Sequence, residues 1–564
     1  MYNLNKVIAA LKQDISASLV KLAQKHIDEF DNLPEVEIET PADTAHGNLS
    51  SNIAMVSAKL FKLPPRKIAE MIVDNLDVSS DSISKTEIAG PGFINFFFSD
   101  KFFADTVEEI IRKGEAYGNS EYGQGKKVMV EFVSANPTGP MHLGNARGGA
   151  LGDCLAAVLK KAGYDVHKEF YVNDAGNQIE KFGLSLSVRY QQICKGENYI
   201  AMPEECYQGQ DIIDLAKEFF EIHGDEYINV DESVRKKALI DFALPKNISK
   251  MKSDMEKYKI FYDKWFYESE LHKSGEVDRI INLLGENSYT YEKDGCVWYK
   301  ATDFGSEKDE VLRRSNGIPT YYAADIAYHY NKFVTRGFDI CIDVLGADHH
   351  GHVERMKGAM EAIGINRNRL KVLLFQLVRL TRNGEIVRMS KRTGKAIQLS
   401  DLIDEVGADS AKFIFNNSEP NSGMDFDLDM AVKQDSQNPV YYVQYAYARI
   451  CSVFRQLNEE QLNCYKSSKK SLDLLVSEPE KNLINYMATF PDKILRSAQE
   501  FDPTKITRYV INLATMFHKF YSGCKIMNSD INLMNARLEL CSAVKIIIKN
   551  VLDMFQVESP EVME

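Results

Sequence analysis

Apolar residues recur three and four positions apart through the first eighty positions, in "MYNLNKVIAALKQDISASLVKLAQKHIDEF" and, after a polar interruption, in "NIAMVSAKLFKLPPRKIAEMIV". That period predicts amphipathic helices. "TEIAGPGFINFFFS" reads instead as a strand broken by Pro91 and Gly92, so this first part is a compact α+β unit. "RKGEAYGNSEYGQGKK", rich in Gly and charge, reads as a linker. Beyond it, "KKVMVEFV" has strand-like density, "ARGGALGDCLAAVLKKAG" returns to helical spacing, and "DVHKEFYV" alternates Val166, Phe170 and Val172 with polar neighbours. Strand, helix and strand in that order make a βαβ unit, hence a parallel sheet. The tract from about 183 to 295 is mostly helical and charged and reads as an insertion. The α/β pattern resumes in "FDICIDVLGADHHGH" and "RLKVLLFQLVRL". From about 438 the strand pattern disappears, and "NPVYYVQYAYARICSVFRQL", "PTKITRYVINLATMFHKFYS" and "NARLELCSAVKIIIKNVLDMF" predict a helical bundle.

The first strand runs into "SANPTGPMHLGN" before its helix begins. Pro137 and Pro140 stop the strand, and Gly139 and Gly144 are expected to permit torsions or close approaches that a Cβ would forbid. The amides opening the next helix carry partial positive charge, so a phosphate is the natural guest; turn geometry alone is the competing reason for such residues. In open parallel sheets ligands bind at the carboxyl ends of the strands, where both this stretch and "GADHHGH" lie.

At 564 residues the chain exceeds one core and predicts three or four domains. A hydrophobic content of 44% and a charged content of 26% are those of a soluble globular protein. No apolar run has the length of a membrane span, and the start does not read as a signal peptide, so the expectation is a cytoplasmic protein without a membrane partner. Nine cysteines, scattered singly without a CxxC pair, argue against a disulfide framework and against structural zinc. A net charge of -13 speaks against a polyanionic partner, but from Arg367 to Lys395 the chain holds nine Lys or Arg against one acid, Glu385. This is either a solvated basic loop or a local anion site.

Gly139 and Gly144 have the spacing of half a P-loop, but Asn145 and Ala146 stand where Lys and Ser/Thr are required, and GxGxxG is absent. What remains is P-x-H-L-G-N before a helix: Gly144 lets an adenine lie against bare backbone, while His142 and Asn145 offer donors to phosphates. In "GEIVRMSKRTGK", Lys391 can bring positive charge to a phosphate transition state. With both motifs in this order, the chain resembles a class I aminoacyl-tRNA synthetase, "HLGN" being similar to the HIGH signature and "RMSKR" to KMSKS. "SANPTGPMHLGNARG", "FYVNDAGNQ", "PTYYAADIAYH", "VLGADHHGH", "VQYAYARI", "AHGNLSSNIAMVSAKL" and "AGPGFIN" resemble the arginyl-tRNA synthetases over nearly the whole chain.

The resemblance implies a multidomain α/β protein: an N-terminal α+β domain over 1–115 that contacts the tRNA elbow, a Rossmann-type parallel-sheet catalytic domain over 116–437 with the helical insertion, and an all-α anticodon-binding bundle over 438–564. It implies catalytic roles for His142, Asn145 and Lys391, and an ATP site of Pro140, His142, Gly144, Asn145, Gly346, Asp348, Met389, Ser390 and Lys391. A guanidinium needs a buried, bidentate acid, and Asp325, with Tyr321 one helical turn before it, matches the family's arginine positions. Ser134 and Asn136 are expected at the substrate's ammonium or carboxylate, His349 at the same pocket, and Asn173 and Asp174 nearby. Arg388 and Arg392 depart from the signature's Lys and Ser. Lys391 is kept where many family members move that lysine ahead of the HIGH-like element, and the ending "SPEVME" departs from the usual Pro-Glu-Arg-Met.

"DHHGH" is not expected to be a metal site; Mg²⁺ is expected only with ATP, and zinc not at all. The implied partners are L-arginine and tRNA(Arg), and the implied form is a monomer. The expected reaction joins arginine to ATP as an adenylate and then to the terminal adenosine of tRNA, with no editing domain. The alternatives are another class I synthetase, which the lack of a zinc cluster disfavours; a small nucleotidyltransferase, which would leave both flanking domains unexplained; and a non-catalytic tRNA-binding relative, which should lack His142, Gly144 and Lys391.

Overall fold

A computed structural model describes residues 1–27, 32–41, 43–76, 81–387, 397–527 and 530–563. At the N-terminus, helices Asn3–His26, Ile53–Phe61, Pro65–Asp74 and Asp100–Lys113 pack with a three-stranded antiparallel sheet in which Phe93–Phe98 lies between Leu49–Ser51 and Ile83–Ala89. The single broken strand read from sequence is thus a hairpin. Its turn holds Gly90 and Gly92 at positive φ, and a Cβ on Gly92 would come within 2.9 Å of the Pro65 backbone.

The central sheet has five parallel strands: β1 Lys127–Phe132, β2 Asp165–Val172, β3 Lys264–Tyr267, β4 Ile340–Gly346 and β5 Leu370–Phe375. Their spatial order is β3-β2-β1-β4-β5, so the order reverses between β1 and β4, the place where such sheets open a crevice for ligands. Strand periodicity assigns the two faces. Val128, Val130 and Phe132 join the larger core, which includes helix Leu143–Lys161, whereas Met129 joins a second cluster with helices Tyr321–Tyr330 and His350–Ala362. Glu131 therefore faces the second cluster. The glycines of the Leu143–Lys161 helix serve packing: a Cβ on Gly152 would sit 2.2 Å from Phe132, and one on Gly148 would sit 3.0 Å from Phe375.

The tract read as an insertion contains three long helices, Asn177–Lys195, Gln210–His223 and Glu232–Lys257, with a small core around Phe182, Leu186, Tyr190, Phe219 and Leu239. It also contains β3, whose four residues "KWFY" were too short to show against their helical surroundings, and the hairpin strand Thr290–Lys293. After β5, Val378–Arg382 pairs with Glu385–Ile386 and with Met424–Asp427, forming a small sheet at the base of the basic segment. Six α-helices from Pro439–Arg455 to Ile531–Met554 make the C-terminal bundle. The atypical end is docked: Gln444 donates to Glu558 O at 2.9 Å, Arg455 donates to Glu561 O at 2.9 Å, and Lys259 pairs with Glu558 at 3.2 Å. All nine cysteines are free thiols. Among the described residues no helix is long and apolar enough to cross a membrane.

Candidate active site

The chain leaves β1 through Val133 and Ser134, both at positive φ (71° and 42°), a conformation a β-branched residue rarely adopts. The Ser134 hydroxyl holds the turn: it donates to Glu131 Oε1 at 2.8 Å and accepts from the Tyr171 amide at 3.1 Å, linking the ends of β1 and β2. The unusual torsions thus fall here and not at Gly139 or Gly144, neither of which has positive φ. A Cβ on Gly139 would meet only Asp211 Oδ2 at 3.5 Å, and one on Gly144 would meet the His142 ring at 3.1 Å. Gly144 keeps that ring's surroundings clear.

His142 and Asn145 cap helix Leu143–Lys161 reciprocally, after half-buried Pro140. The His142 amide donates to Asn145 Oδ1 at 2.9 Å, and the Gly144 amide donates to His142 Nδ1 at 3.2 Å. With Nδ1 accepting, the ring's proton lies on Nε2; with Oδ1 accepting, the Asn145 amide hydrogens stay available. Both side chains thus keep donors for an anion at a helix N-terminus.

This turn is tied to the end of the basic segment. Leu143 N donates to Ile397 O at 3.2 Å, and Leu399 N donates to Met141 O at 2.9 Å. Arg388, Met389, Ser390, Lys391 and Arg392 lie outside the described residues. On the described side, Arg379 forks onto Asp425 at 2.7 and 3.0 Å, Arg382 pairs with Glu405, Arg367 pairs with Glu354 at 2.8 Å, and Arg369 donates to Asp339 O and Phe338 O. Of the segment's cations, Arg367, Arg379 and Arg382 are thus paired with acids. Buried Arg147 fixes the same region from below, donating to the carbonyls of Gln376, Ser422 and Glu419 at 2.8–2.9 Å, and desolvation lowers it to about 10.

Across the crevice, Gly346 ends β4, and Asp348 and His349 follow it, both exposed and 3.7 Å apart. His352, not His349, approaches Asp325, its Nε2 lying 3.5 Å from Oδ2. Burial lowers His352 to about 4, helped by His329 and Arg355, so it brings no positive charge near neutrality. Asp325 sits in the cleft with its side chain 30% exposed; desolvation raises it to about 7, with Glu268 and Glu131 adding to the rise against His329 and Lys332. Tyr321, pushed up to about 12 mainly by burial, meets the Asn173 side chain. With the Asn173 amide oxygen facing that hydroxyl, its nitrogen donates to Glu268 Oε2 at 2.9 Å and Ala175 O at 3.1 Å. Asn136 comes within 3.3 Å of Asn173, whereas Asp174 is spent on Ser269, accepting from its amide at 2.8 Å and its hydroxyl at 2.7 Å.

The structure thus brings Asn136, Asn173, Tyr321 and Asp325 together and adds buried Glu268, which accepts from the Tyr171 hydroxyl at 3.0 Å. Sequence reading did not find Glu268, because nothing local distinguishes it from other acids at a helix start. Glu131 left a readable trace: a carboxylate inside the apolar run "KVMVEFV". Two carboxylates, a phenol and amides in one cleft suit a planar cation with several N–H groups. Among the described residues no group of three His, Cys, Asp or Glu could hold a metal ion.

A second cleft, of about 470 Å³ and lined mainly by apolar surface, lies on the C-terminal bundle between Tyr441, Tyr442, Tyr445, Arg449 and His518. The Tyr441 and Tyr445 rings are parallel to within 8°, Arg449 lies 4.6 Å over Tyr445, and both buried ring nitrogens of His518 lack a protein partner.

Comparison with known proteins extends over all three parts. Residues 9–98 match the family model "Arginyl tRNA synthetase N terminal domain", residues 106–450 match "tRNA synthetases class I (R), catalytic domain", and residues 443–563 match "DALR anticodon binding domain". The arginine–tRNA ligase of Caldanaerobacter subterraneus is 53% identical over 99% of this chain and 100% of its own, and that of Acetivibrio thermocellus is 50% identical over the same shares. The Thermus thermophilus arginyl-tRNA synthetase structure superposes with a TM-score of 0.75 over 99% of this chain and 100% of that one; at 19% identity this likeness speaks for the fold. With a helix-capping histidine turn, an acid-lined cleft beside it and matches along its whole length, this chain belongs to the arginyl-tRNA synthetase family.

Proposed function

We propose that the protein is an arginine–tRNA ligase whose chemistry takes place in the crevice between β1 and β4. The observation that carries this reading is the convergence of Asp325, Glu268, Tyr321 and Asn173 in one cleft, where Glu268 also faces His272 at 3.3 Å, beside a turn whose donors suit a phosphate chain. Arginine's guanidinium lies against Asp325 and Tyr321, with Glu268 as a second acid. Ser134 and Asn136 receive its ammonium and carboxylate end.

An oxygen of that carboxylate attacks the α-phosphorus of ATP in line, and the bond to pyrophosphate breaks. The leaving group departs toward His142 Nε2–H, the Asn145 amide, the first helix amides and Lys391, with Pro140, Gly144, Gly346, Asp348, Met389 and Ser390 shaping the nucleotide site. Positioning and preorganised charge do the catalysis. Mg²⁺ brought with ATP would supply countercharge for the departing pyrophosphate, with no ligand assigned to this chain. A 2′-hydroxyl of the terminal tRNA adenosine then attacks the arginyl carbonyl carbon and AMP leaves, its phosphate or water taking the proton.

The division of labour follows 1–115 for the tRNA elbow, 116–437 for chemistry and 438–564 for the anticodon, where the tyrosine-lined cleft suits an unstacked base. The protein acts as a monomer in the cytoplasm. Pyrophosphate exchange measured against each of the twenty amino acids, with and without total tRNA, tests the reading. Arginine alone should support exchange, and exchange driven by another amino acid would overturn the assignment.

A further inference from the structure

Three strands of the central sheet carry carboxylates at one level. Asp343 on β4 is directly opposite Glu131 on β1, and Glu131 is directly opposite Glu169 on β2, all on the face covered by helix Tyr321–Tyr330. The helix and the π-turn after it, Asn331–Thr335, answer this row. His329 Nε2 lies 2.9 Å from Asp343 Oδ2 while its Nδ1 faces the Asp325 carbonyl at 2.8 Å, so both ring nitrogens face acceptors. Arg336 forks onto Glu169 at 2.5 and 2.9 Å. Lys332 is fully buried and donates to both Glu131 Oε2, at 2.5 Å, and Asp343 Oδ1, at 2.9 Å. Three acids thus meet Lys332, Arg336 and His329.

Only one member of the row reaches the reacting region. Glu131 spends its other oxygen on Ser134, whose backbone stands in the left-handed conformation and begins the loop to Asn136 and His142. Lys332 stands within the π-turn. We propose that Lys332 is a positioning residue for amino-acid activation: by gripping Glu131 it fixes the Ser134 hydroxyl and the strained Val133–Ser134 corner, and so the place of the substrate's ammonium and carboxylate end. Beyond these contacts, Asp343 carries a second effect: burial alone would raise its carboxyl, but Lys332 and then His329 outweigh burial and hold it well below the usual carboxylate range, so the lysine faces an ionised Asp343 throughout neutral pH.

This inference rests on the reading of the crevice as an arginine-activating site. The test is arginine-dependent pyrophosphate exchange by the full-length protein, with KM for arginine and for ATP measured separately, well below each variant's melting temperature. Lys332→Met should raise the arginine KM at least about tenfold and leave the ATP KM within about twofold, as the loss of one preorganised contact does. Ser134→Ala should produce the same selective rise, and the double variant should be no worse than about the poorer single one, because both changes release one contact chain. A buried lysine that only supports the fold predicts a lower melting temperature with an unchanged arginine KM. That outcome, or effects of the two substitutions that multiply, overturns the proposal. Should Lys332→Met fail to fold, Lys332→Arg keeps the charge but not the two-sided grip, and the same KM criterion decides. Absence of arginine-dependent exchange in the unsubstituted protein both with and without total tRNA overturns this inference and the reading beneath it; exchange with an unmoved variant KM overturns this inference alone.

Discussion

Asp325 concentrates what single residues contribute. Its carboxyl stands near 7 because the cleft desolvates it and places Glu268 and Glu131 close by. The free enzyme's Asp325 is therefore partly protonated at neutral pH, and a guanidinium requires the ionised form. The arginine KM is expected to fall as pH rises from about 6 to 8 and to level off above that, as initial rates over this range will check. The linkage has a definite sign. A carboxyl whose folded value is raised contributes stability at low pH that is lost as pH climbs through that value, so ionising Asp325 weakens the empty fold while bound arginine offsets the loss. Saturating arginine should raise the melting temperature more at pH 8 than at pH 6. Asp325→Ala should raise the arginine KM by about 10²-fold or more with little change for ATP, the loss expected when a charged group's paired acceptor is removed. Lys391→Ala should slow exchange by about 10²–10³-fold, the range for removing one preorganised donor from a charged transition state.

At the scale of elements, helix Leu143–Lys161 joins stability to chemistry. Its N-terminus carries the phosphate turn, and its inner face lies so close to β1 that Gly152 has no room for a methyl against Phe132. Gly152→Ala is expected to destabilise the protein by about 1–3 kcal/mol through overpacking, read as a lower urea midpoint. This helix also marks how far the sequence could be read. Its apolar spacing and the alternation in "DVHKEFYV" were legible because period reports burial, and four of the five central strands followed. β3 escaped because four residues between helices have no period of their own. The candidate residues on the β1 turn and on helix Tyr321–Tyr330 were legible through family motifs. Glu131 left a trace as an acid in an apolar run, but its role and the roles of Glu268, His329 and Lys332 were not legible, because their partners lie on strands and helices distant in the chain. His349 and His352 illustrate the limit: the motif "DHHGH" offers several histidines, and only the start of helix His350–Ala362 decides which one faces Asp325.

For the whole molecule, the net charge is acidic, and among the described residues Arg367, Arg379 and Arg382 pair with acids while Arg369 donates to backbone carbonyls. Binding of tRNA should still weaken with salt, because phosphate contacts release counterions; filter binding between about 50 and 200 mM salt should give a clear negative slope, and a flat response would remove phosphate contact from the account. The bundle's tyrosine cleft, with Arg449 over its stacked rings, should contribute at most about one phosphate contact to that slope. The row of acids and cations across β2, β1 and β4 bears on how the enzyme can move. Sliding any one of these strands by a single residue would turn its carboxylate to the opposite face of the sheet, so the row acts as a key that forbids slippage and makes the three strands behave as one rigid plate. Opening and closing around substrates must then occur at the rim, and the amides of β1 and β4 should exchange with deuterium only as slowly as the domain unfolds.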